Sequence, residues 1–251
     1  MENLVATFKS LAQCSDRTAR DYLNTHNWDV NQALNDYYDS EHDQDQSYSP
    51  ELPQLFRKYA VVTPHGFIMD TDGLIRYIGD LGYEIDNLAT ICLAQLLHCQ
   101  RLTDGITEGQ FSYNWQQNGC TSLHQMGKLV QRLDHKLRTD QDYTAQIYNY
   151  TFELALDPGA KTLETHTAVQ YWTLFFATGQ YPVIVEQQFF QLWISFVQQE
   201  QSISRDTWRM LFPFFNRFSN LQSVRDNYNE ADAWPYIIDE FYEYLADKGE
   251  I

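Results

Sequence analysis

Positive charge is what this chain has least of. Its 251 residues carry 17 Lys and Arg against 34 Asp and Glu, a formal net charge of −17 at pH 7. Phosphate binding needs clustered basic side chains that release counterions, so nucleic acid is excluded as an expected partner and a basic protein surface is favoured. Cysteine is also scarce. Cys14, Cys92, Cys99 and Cys120 lack the spacing of a disulfide framework. No apolar run approaches the ~20 residues a membrane helix requires, and the N-terminus lacks a basic region followed by an apolar one. The expected protein is therefore soluble, reduced and intracellular, with no membrane partner.

Motifs for bond chemistry are incomplete wherever they begin. In Gly66-Phe67-Ile68-Met69-Asp70-Thr71-Asp72-Gly73-Leu74, placing Gly73 at position six of a calcium loop puts Asp70 and Asp72 at positions three and five. Position one is then Ile68 and position twelve Gly79, so the first carboxylate and the bidentate glutamate are missing. Gly159-Ala160-Lys161-Thr162 resembles the tail of a phosphate loop, but Ala160 and Ala155 stand where bare glycines must let backbone amides approach the phosphates. His98 and Cys99 adjoin, yet neighbours on a helix point about 100° apart, and Cys92 and Cys99 read more simply as core thiols on an apolar helix. A two-zinc ligase module needs eight Cys or His in close pairs, which four isolated Cys and seven scattered His do not supply. No catalytic residue, metal or cofactor is expected, and function should reside in surfaces.

What the chain has in quantity is aromatic and apolar side chains, 15% and 43% of residues, enough for a substantial core. Their spacing is helical almost throughout. Three short helices are expected before residue 39: Leu4 to Leu11, a second capped by Ser15, and a third capped by Asp29, with Trp28 in the turn between the last two. The polar, acidic stretch 40–50 reads as a linker. Beyond it helices are expected near 50–59, 72–82, 88–98, 107–118, 122–138, 140–156, 165–178, 184–199, 205–220 and 234–246, with Pro213 ending or kinking the ninth of these. The fold class is all-α.

Two C-terminal strings are the loudest part of the chain. Ser204-Arg205-Asp206-Thr207-Trp208-Arg209-Met210-Leu211 opens one helix with Trp208, Leu211, Phe212 and Phe215 along a stripe. Asp232-Ala233-Trp234-Pro235-Tyr236-Ile237-Ile238-Asp239-Glu240-Phe241 opens another with Trp234, Ile237, Ile238, Phe241 and Leu245. Residues 226–251 hold eight Asp or Glu and one Lys, a net of −7. That is a docking surface for a basic partner or a solvated face. These strings resemble the end of the PONY (potentiating neddylation) domain of the defective-in-cullin-neddylation family, a likeness that Tyr148 to Leu156 and Gln170-Tyr171-Trp172 extend. Asn27-Trp28-Asp29-Val30-Asn31-Gln32-Ala33-Leu34 resembles the end of a UBA (ubiquitin-associated) fold.

The resemblance implies a UBA-like domain at 1–39, an acidic linker at 40–50 and a PONY domain at 51–251 with EF-hand-like helix pairs lacking metal ligands. It implies a non-catalytic scaffold-type co-ligase, cytoplasmic and nuclear, which holds the charged conjugating enzyme of the neddylation pathway beside a cullin C-terminal domain. The cullin-docking positions would be Asp206, Ala233 and Asp239. On a continuous helix Asp239 falls about 140° round from Trp234, and Ala233 is small enough for close approach. Asp206 has a second explanation, since an Asp two residues after Ser204 is favoured by the helix dipole alone, by about 0.3–1 kcal/mol. The N-terminal, acetylated methionine of the conjugating enzyme would enter an apolar pocket lined by Leu74, Ile78, Ile91, Leu93, Leu154, Tyr171 and Leu174, all of which also suit a core. Ubiquitin, or the ubiquitin-like modifier, would bind the UBA-like head through Ala12, Gln13, Cys14 and the exposed side of the third helix, although the usual Met-Gly-Phe loop is absent. The alternative is a ubiquitin-binding adaptor whose large domain docks another basic protein.

Overall fold

A computed structural model describes residues 2–12, 14–41, 48–64, 66–101, 103–229 and 231–251. Its described residues form fourteen α-helices and five short strands, divided between two compact units: Met1–Cys99 with Thr103–Val130, and Gln100–Leu102 with Gln131–Ile251.

The first unit begins with α1 (Glu2–Ala12), α2 (Asp16–Thr25) and α3 (Val30–Glu41). Ser15 caps α2, its hydroxyl accepting from the Thr18 amide at 3.1 Å. Asp29 caps α3, accepting from the amides of Asn31 and Gln32 at 3.0 and 3.1 Å. Both caps stand where the sequence puts them. The turn between these helices is tighter than its composition suggests, because Asn27 and Trp28 both take positive φ, 52° and 64°. Val5, Phe8, Ala19, Leu23, Ala33 and Tyr37 close the small core, with Trp28 against its edge. Of the expected linker, 40 and 41 belong to α3, 42–47 lie outside the described residues, and the Ser49 amide donates to Gln116 at 2.9 Å.

The unit continues with α4 (Glu51–Arg57), β1 (Val61–Thr63), β2 (Gly66–Met69), α5 (Thr71–Asp80), α6 (Ala89–Leu96), β3 (Ile106–Thr107) and α7 (Glu108–Gln117). It ends on the first part of α8 (Leu123–Thr139). The strands form one antiparallel sheet in the order β1-β2-β3, with Val62 opposite Phe67 and Met69 opposite Ile106. Each of the helices α5 and α7 follows a strand and starts on a side-chain cap, Asp70 to the Gly73 amide at 2.9 Å and Thr107 to the Gln110 amide at 3.2 Å. Phe56, Tyr59, Tyr77, Phe111 and Trp115 fill the core between them. Asp70 thus serves as a helix cap. Gly73 is needed for steric reasons, since a Cβ there would lie 2.1 Å from the Tyr59 carbonyl oxygen.

The second unit holds the rest of α8, then α9 (Gln141–Ala155), β4 (Thr162–Glu164) and α10 (Thr165–Trp172), which runs into a π-helical turn at Thr173–Ala177. It continues through α11 (Gln187–Val197), β5 (Ser202–Ser204), α12 (Arg205–Arg217), α13 (Leu221–Asn227) and α14 (Tyr236–Asp247). β4 and β5 pair antiparallel with buried Leu163 opposite buried Ile203. At the centre, Tyr148 of α9 and Trp208 of α12 stack at 4.6 Å and exchange bonds. The Tyr148 hydroxyl donates to the Trp208 carbonyl at 2.8 Å, and Trp208 Nε1 donates to the Tyr148 carbonyl at 2.9 Å. Trp172 Nε1 donates to the same hydroxyl at 2.9 Å.

Several expectations need correction. The fold is mostly helical, as expected, and only the short strands within it went unread, because runs of two to four residues carry too little periodicity. Pro213 does not end α12, which continues through Arg217; the proline costs one backbone bond but lies on the exposed side of a helix whose opposite side is buried. α13 was not expected, although Asn220 and Ser223 form a capping box at its start. α14 begins at Tyr236, so Trp234 precedes it and the helical angle between Trp234 and Asp239 does not apply. His98 and Cys99 lie past the end of α6, where His98 takes φ 56°.

Candidate docking site

Asp206 sits in the first turn of α12. Ser204 is the cap, its hydroxyl accepting from the Thr207 amide at 3.0 Å, so the capping bond does not need Asp206. Arg205 turns away to Glu153 at 2.8 Å. The Asp206 side chain is exposed and forms no hydrogen bond or ion pair with another described residue. The helix dipole still favours its charge, but no described residue pairs with it.

Ala233 and Asp239 belong to the segment that leads into α14 and to the first turns of that helix. The Asn229 side chain accepts from the Ala231 amide at 3.0 Å, and its carbonyl accepts from the Asp232 amide at 2.9 Å, making a tight turn. Arg217 Nη1 lies 2.8 Å from Asp232 Oδ2, close in distance though not aligned as a hydrogen bond. The Arg217 guanidinium also lies over the rings of Phe218 and Trp234, and Trp234 packs edge-on against Phe214 at 5.5 Å. The turn is thereby fastened to α12, which leaves Ala233 exposed between two anchored neighbours. Asp239 is half-buried, and its Oδ1 accepts from the Tyr228 hydroxyl. Tyr236, at the start of α14, is 75% exposed with its hydroxyl turned to Glu240, and the charges of Glu240 and Glu243 hold its phenol above the usual range.

All three positions therefore lie in the second unit. Asp206 and Phe214 are eight residues apart in α12, ~12 Å along its axis, and it is the Phe214 end that meets Trp234 and Phe241. The acidic C-terminal stretch is also less free than its composition suggests. Asp226 accepts from Gln222, Asp232 faces Arg217, Asp239 accepts from Tyr228 and Glu250 accepts from Gln188.

The seven pocket candidates divide. Ile78, Ile91 and Leu93 are buried in the first unit and Leu154 in the second. Leu74 in the first unit, and Tyr171 and Leu174 in the second, keep part of their surface. Leu174 lies in the π-helical turn.

Elsewhere, Cys99 is partly exposed as a residue, but its sulfur is enclosed, and burial with the nearby Asp104 carboxylate pushes its thiol up to about 12. It stays protonated at neutral pH. Among the described residues no three His, Cys, Asp or Glu are grouped to hold a metal, and no helix is long and apolar enough to cross a membrane. In the head, α3 packs on α7, Tyr113 meets the head's core, and Asn31 donates to Asp104 at 3.1 Å. Of the first loop, Ala12 is buried and Cys14 half-exposed, and Gln13 lies outside the described residues.

The stretch that carries these acidic positions is matched by a family model described as cullin binding, over residues 125–244, and the head by one described as a UBA-like domain, over residues 2–44. Relatives align along nearly the whole chain. Defective in cullin neddylation protein 1 of Saccharomyces cerevisiae is 39% identical, over 98% of this chain and 94% of the relative. The proteins of that name in Candida glabrata and Eremothecium gossypii are 42% and 38% identical, each over 99% of this chain and 97% of the relative. The chain belongs to the defective-in-cullin-neddylation family. Asp206, Ala233 and Asp239 all fall inside the cullin-binding match, and α1 to α3 inside the UBA-like one. Sequence reasoning missed the contact of Tyr228 with Asp239, because nothing in the spacing of an irregular segment shows which carboxylate its hydroxyl will reach.

Proposed function

We propose that this protein promotes cullin neddylation as a scaffold-type co-ligase, binding a cullin C-terminal domain through Asp206, Ala233 and Asp239 and holding the charged conjugating enzyme beside it. The observation that carries this is the near full-length likeness to proteins named for cullin neddylation, together with a cullin-binding match over the stretch holding the three positions. The local geometry supports it. Asp206 has no internal partner among the described residues, Ala233 is exposed on a fastened turn, and Asp239 accepts from an uncharged donor, the Tyr228 hydroxyl. Such a protein performs no bond chemistry. It accelerates transfer by raising the effective concentration of thioester and lysine and by fixing their orientation.

The energetics set which residue matters most. Exposed ion pairs contribute about 0–1 kcal/mol each, whereas removing one member of a desolvated interfacial pair costs about 2–5 kcal/mol. Asp239, half-buried before any partner arrives, is the position most readily desolvated. Glu240 and Glu243 would mainly raise the association rate. For the conjugating enzyme, burying a methionine side chain contributes about 1.5–3 kcal/mol, while an unpaired ammonium buried with it would cost several, so an acetylated N-terminus is the preferred ligand. Ubiquitin or the modifier would have to use the first loop and the side of α3 turned away from α7.

The test is single-turnover transfer of the modifier from its charged conjugating enzyme to a cullin C-terminal domain, with wild-type protein and with Asp239→Lys. Acceleration by the wild type and its loss in the variant are expected. No acceleration by either protein would overturn the proposal and direct attention to the UBA-like head.

A further inference from the structure

Tyr228 ends α13, its amide donating to the Val224 carbonyl at 2.9 Å. Its ring is held on two sides. It stacks on Tyr242 with centroids 4.5 Å apart and planes 16° from parallel, and meets Phe218 at 6.0 Å. Tyr242 lies three residues beyond Asp239 on α14, and residues so spaced share one side of a helix. The tyrosine therefore lies along that side, with its ring on Tyr242 and its hydroxyl on Asp239 Oδ1. No described residue bonds Oδ2.

An aspartate near a helix start has other options. Freed of Tyr228, its carboxylate could turn back to local backbone amides or swing into water, and a partner would have to select one rotamer from several. Here the choice is already made. We propose that Tyr228 is a positioning residue of the docking face: its hydroxyl fixes Asp239 so that Oδ2 is presented to a lysine or arginine of the partner. A phenol suits this role because it donates without adding charge. A basic residue in its place would neutralise Asp239, and an amide would lack the stacked ring. The proposal rests on Asp239 belonging to the cullin-docking surface.

The test is a double-mutant cycle on binding of a cullin C-terminal domain, with wild type, Tyr228→Phe, Asp239→Ala and the double variant. Phenylalanine keeps the stack on Tyr242 and removes only the hydroxyl. Tyr228→Phe is expected to weaken binding about tenfold to a hundredfold, the range of a hydrogen bond to a charged group. In the Asp239→Ala background the same substitution is expected to change affinity less than about twofold, because the hydroxyl acts through the carboxylate. An equal loss in both backgrounds would mean a structural role and overturn the proposal. So would wild-type affinity in Tyr228→Phe beside a weakened Asp239→Ala, an outcome that leaves the docking surface standing. Wild-type affinity in Asp239→Ala would remove the docking assignment itself, and the proposal with it.

Discussion

Removing one oxygen from the centre of the second unit should be expensive. Tyr148→Phe keeps the ring, and so keeps its stack on Trp208 and its contacts with Phe175, Phe176 and Phe212. What goes is a hydroxyl with two partners, Trp208's carbonyl at 2.8 Å and Trp172 Nε1 at 2.9 Å, in a site shut off from water. The two partners differ in what they lose. The Trp208 carbonyl lies inside α12 and keeps the helical amide four residues on, whereas the Trp172 N–H is left buried with no acceptor. An orphaned buried donor costs about 1–3 kcal/mol, and no packing loss is added. Burial raises the Tyr148 phenol far above its ordinary value, so the effect should not change across the neutral pH range. Urea unfolding followed by the fluorescence of Trp172, Trp193, Trp208 and Trp234 would show it. With a slope of about 2 kcal/mol per molar, a cost of about 2 kcal/mol lowers the midpoint by about 1 M at constant slope. In a Trp172→Phe background the donor is absent, and the cost of Tyr148→Phe should shrink by about 1 kcal/mol or more. A midpoint shift below about 0.2 M, or an undiminished cost in the second background, would refute the assignment of that hydroxyl.

Two further substitutions probe the first unit. Gly73→Ala forces a methyl to within 2.1 Å of the Tyr59 carbonyl and should destabilise by about 1–3 kcal/mol. Gly79→Ala, at the exposed end of the same helix with open space around it, should stabilise by about 0.5–1 kcal/mol; thermal unfolding of the pair decides, and equal midpoints would sink the close approach. His98 bonds the Leu11 backbone from a site whose burial lowers its proton affinity, so the folded chain takes up its proton less readily than the unfolded one. Stability from this group is full above about pH 6.5, the unfolded value, and falls as the pH drops toward the depressed folded value. His98→Asn, which tolerates the positive φ, should lose less stability than the wild type between about pH 7.5 and 5.5; parallel pH profiles would refute it.

Helices were legible where two signals agreed. Ser15, Asp29 and Ser204 each precede an apolar stripe, and each caps the helix its stripe belongs to. Signals that stood alone were weaker guides. Asp70 and Asp72 before Gly73 have the composition of a calcium loop, but Asp70 bonds the Gly73 amide and the glycine admits a neighbouring carbonyl, both of which belong to a helix start. Trp234 has helical spacing to Ile238 and Phe241 yet lies outside α14, because Pro235 supplies the extended entry to that helix and Arg217 the surface on which the indole rests. The strands were invisible for a different reason. A two-residue strand such as Ile106–Thr107 is defined by what lies across from it, and pairing partners far apart in the chain leave no local trace.

The proposed docking positions follow the same division, and it bears on how any loss of function is to be interpreted. Asp206 was legible because it follows a cap and precedes Trp208, yet its placement depends on the exchange of bonds between Trp208 and Tyr148 only two residues away. A core variant such as Tyr148→Phe can therefore weaken docking without touching a charge, by letting the start of α12 shift. Charge and placement separate by their response to salt. Loss of a carboxylate removes a long-range attraction and should make association slower and less salt-dependent, whereas a displaced helix keeps the net charge of −17 and the salt dependence of the on-rate. Association of Asp206→Asn and Tyr148→Phe with a cullin C-terminal domain, compared at about 50 and 300 mM salt, should show a flattened salt response for the first and a wild-type response with faster dissociation for the second. The same salt response in both would mean that Asp206 contributes through the fold of α12 rather than through its charge.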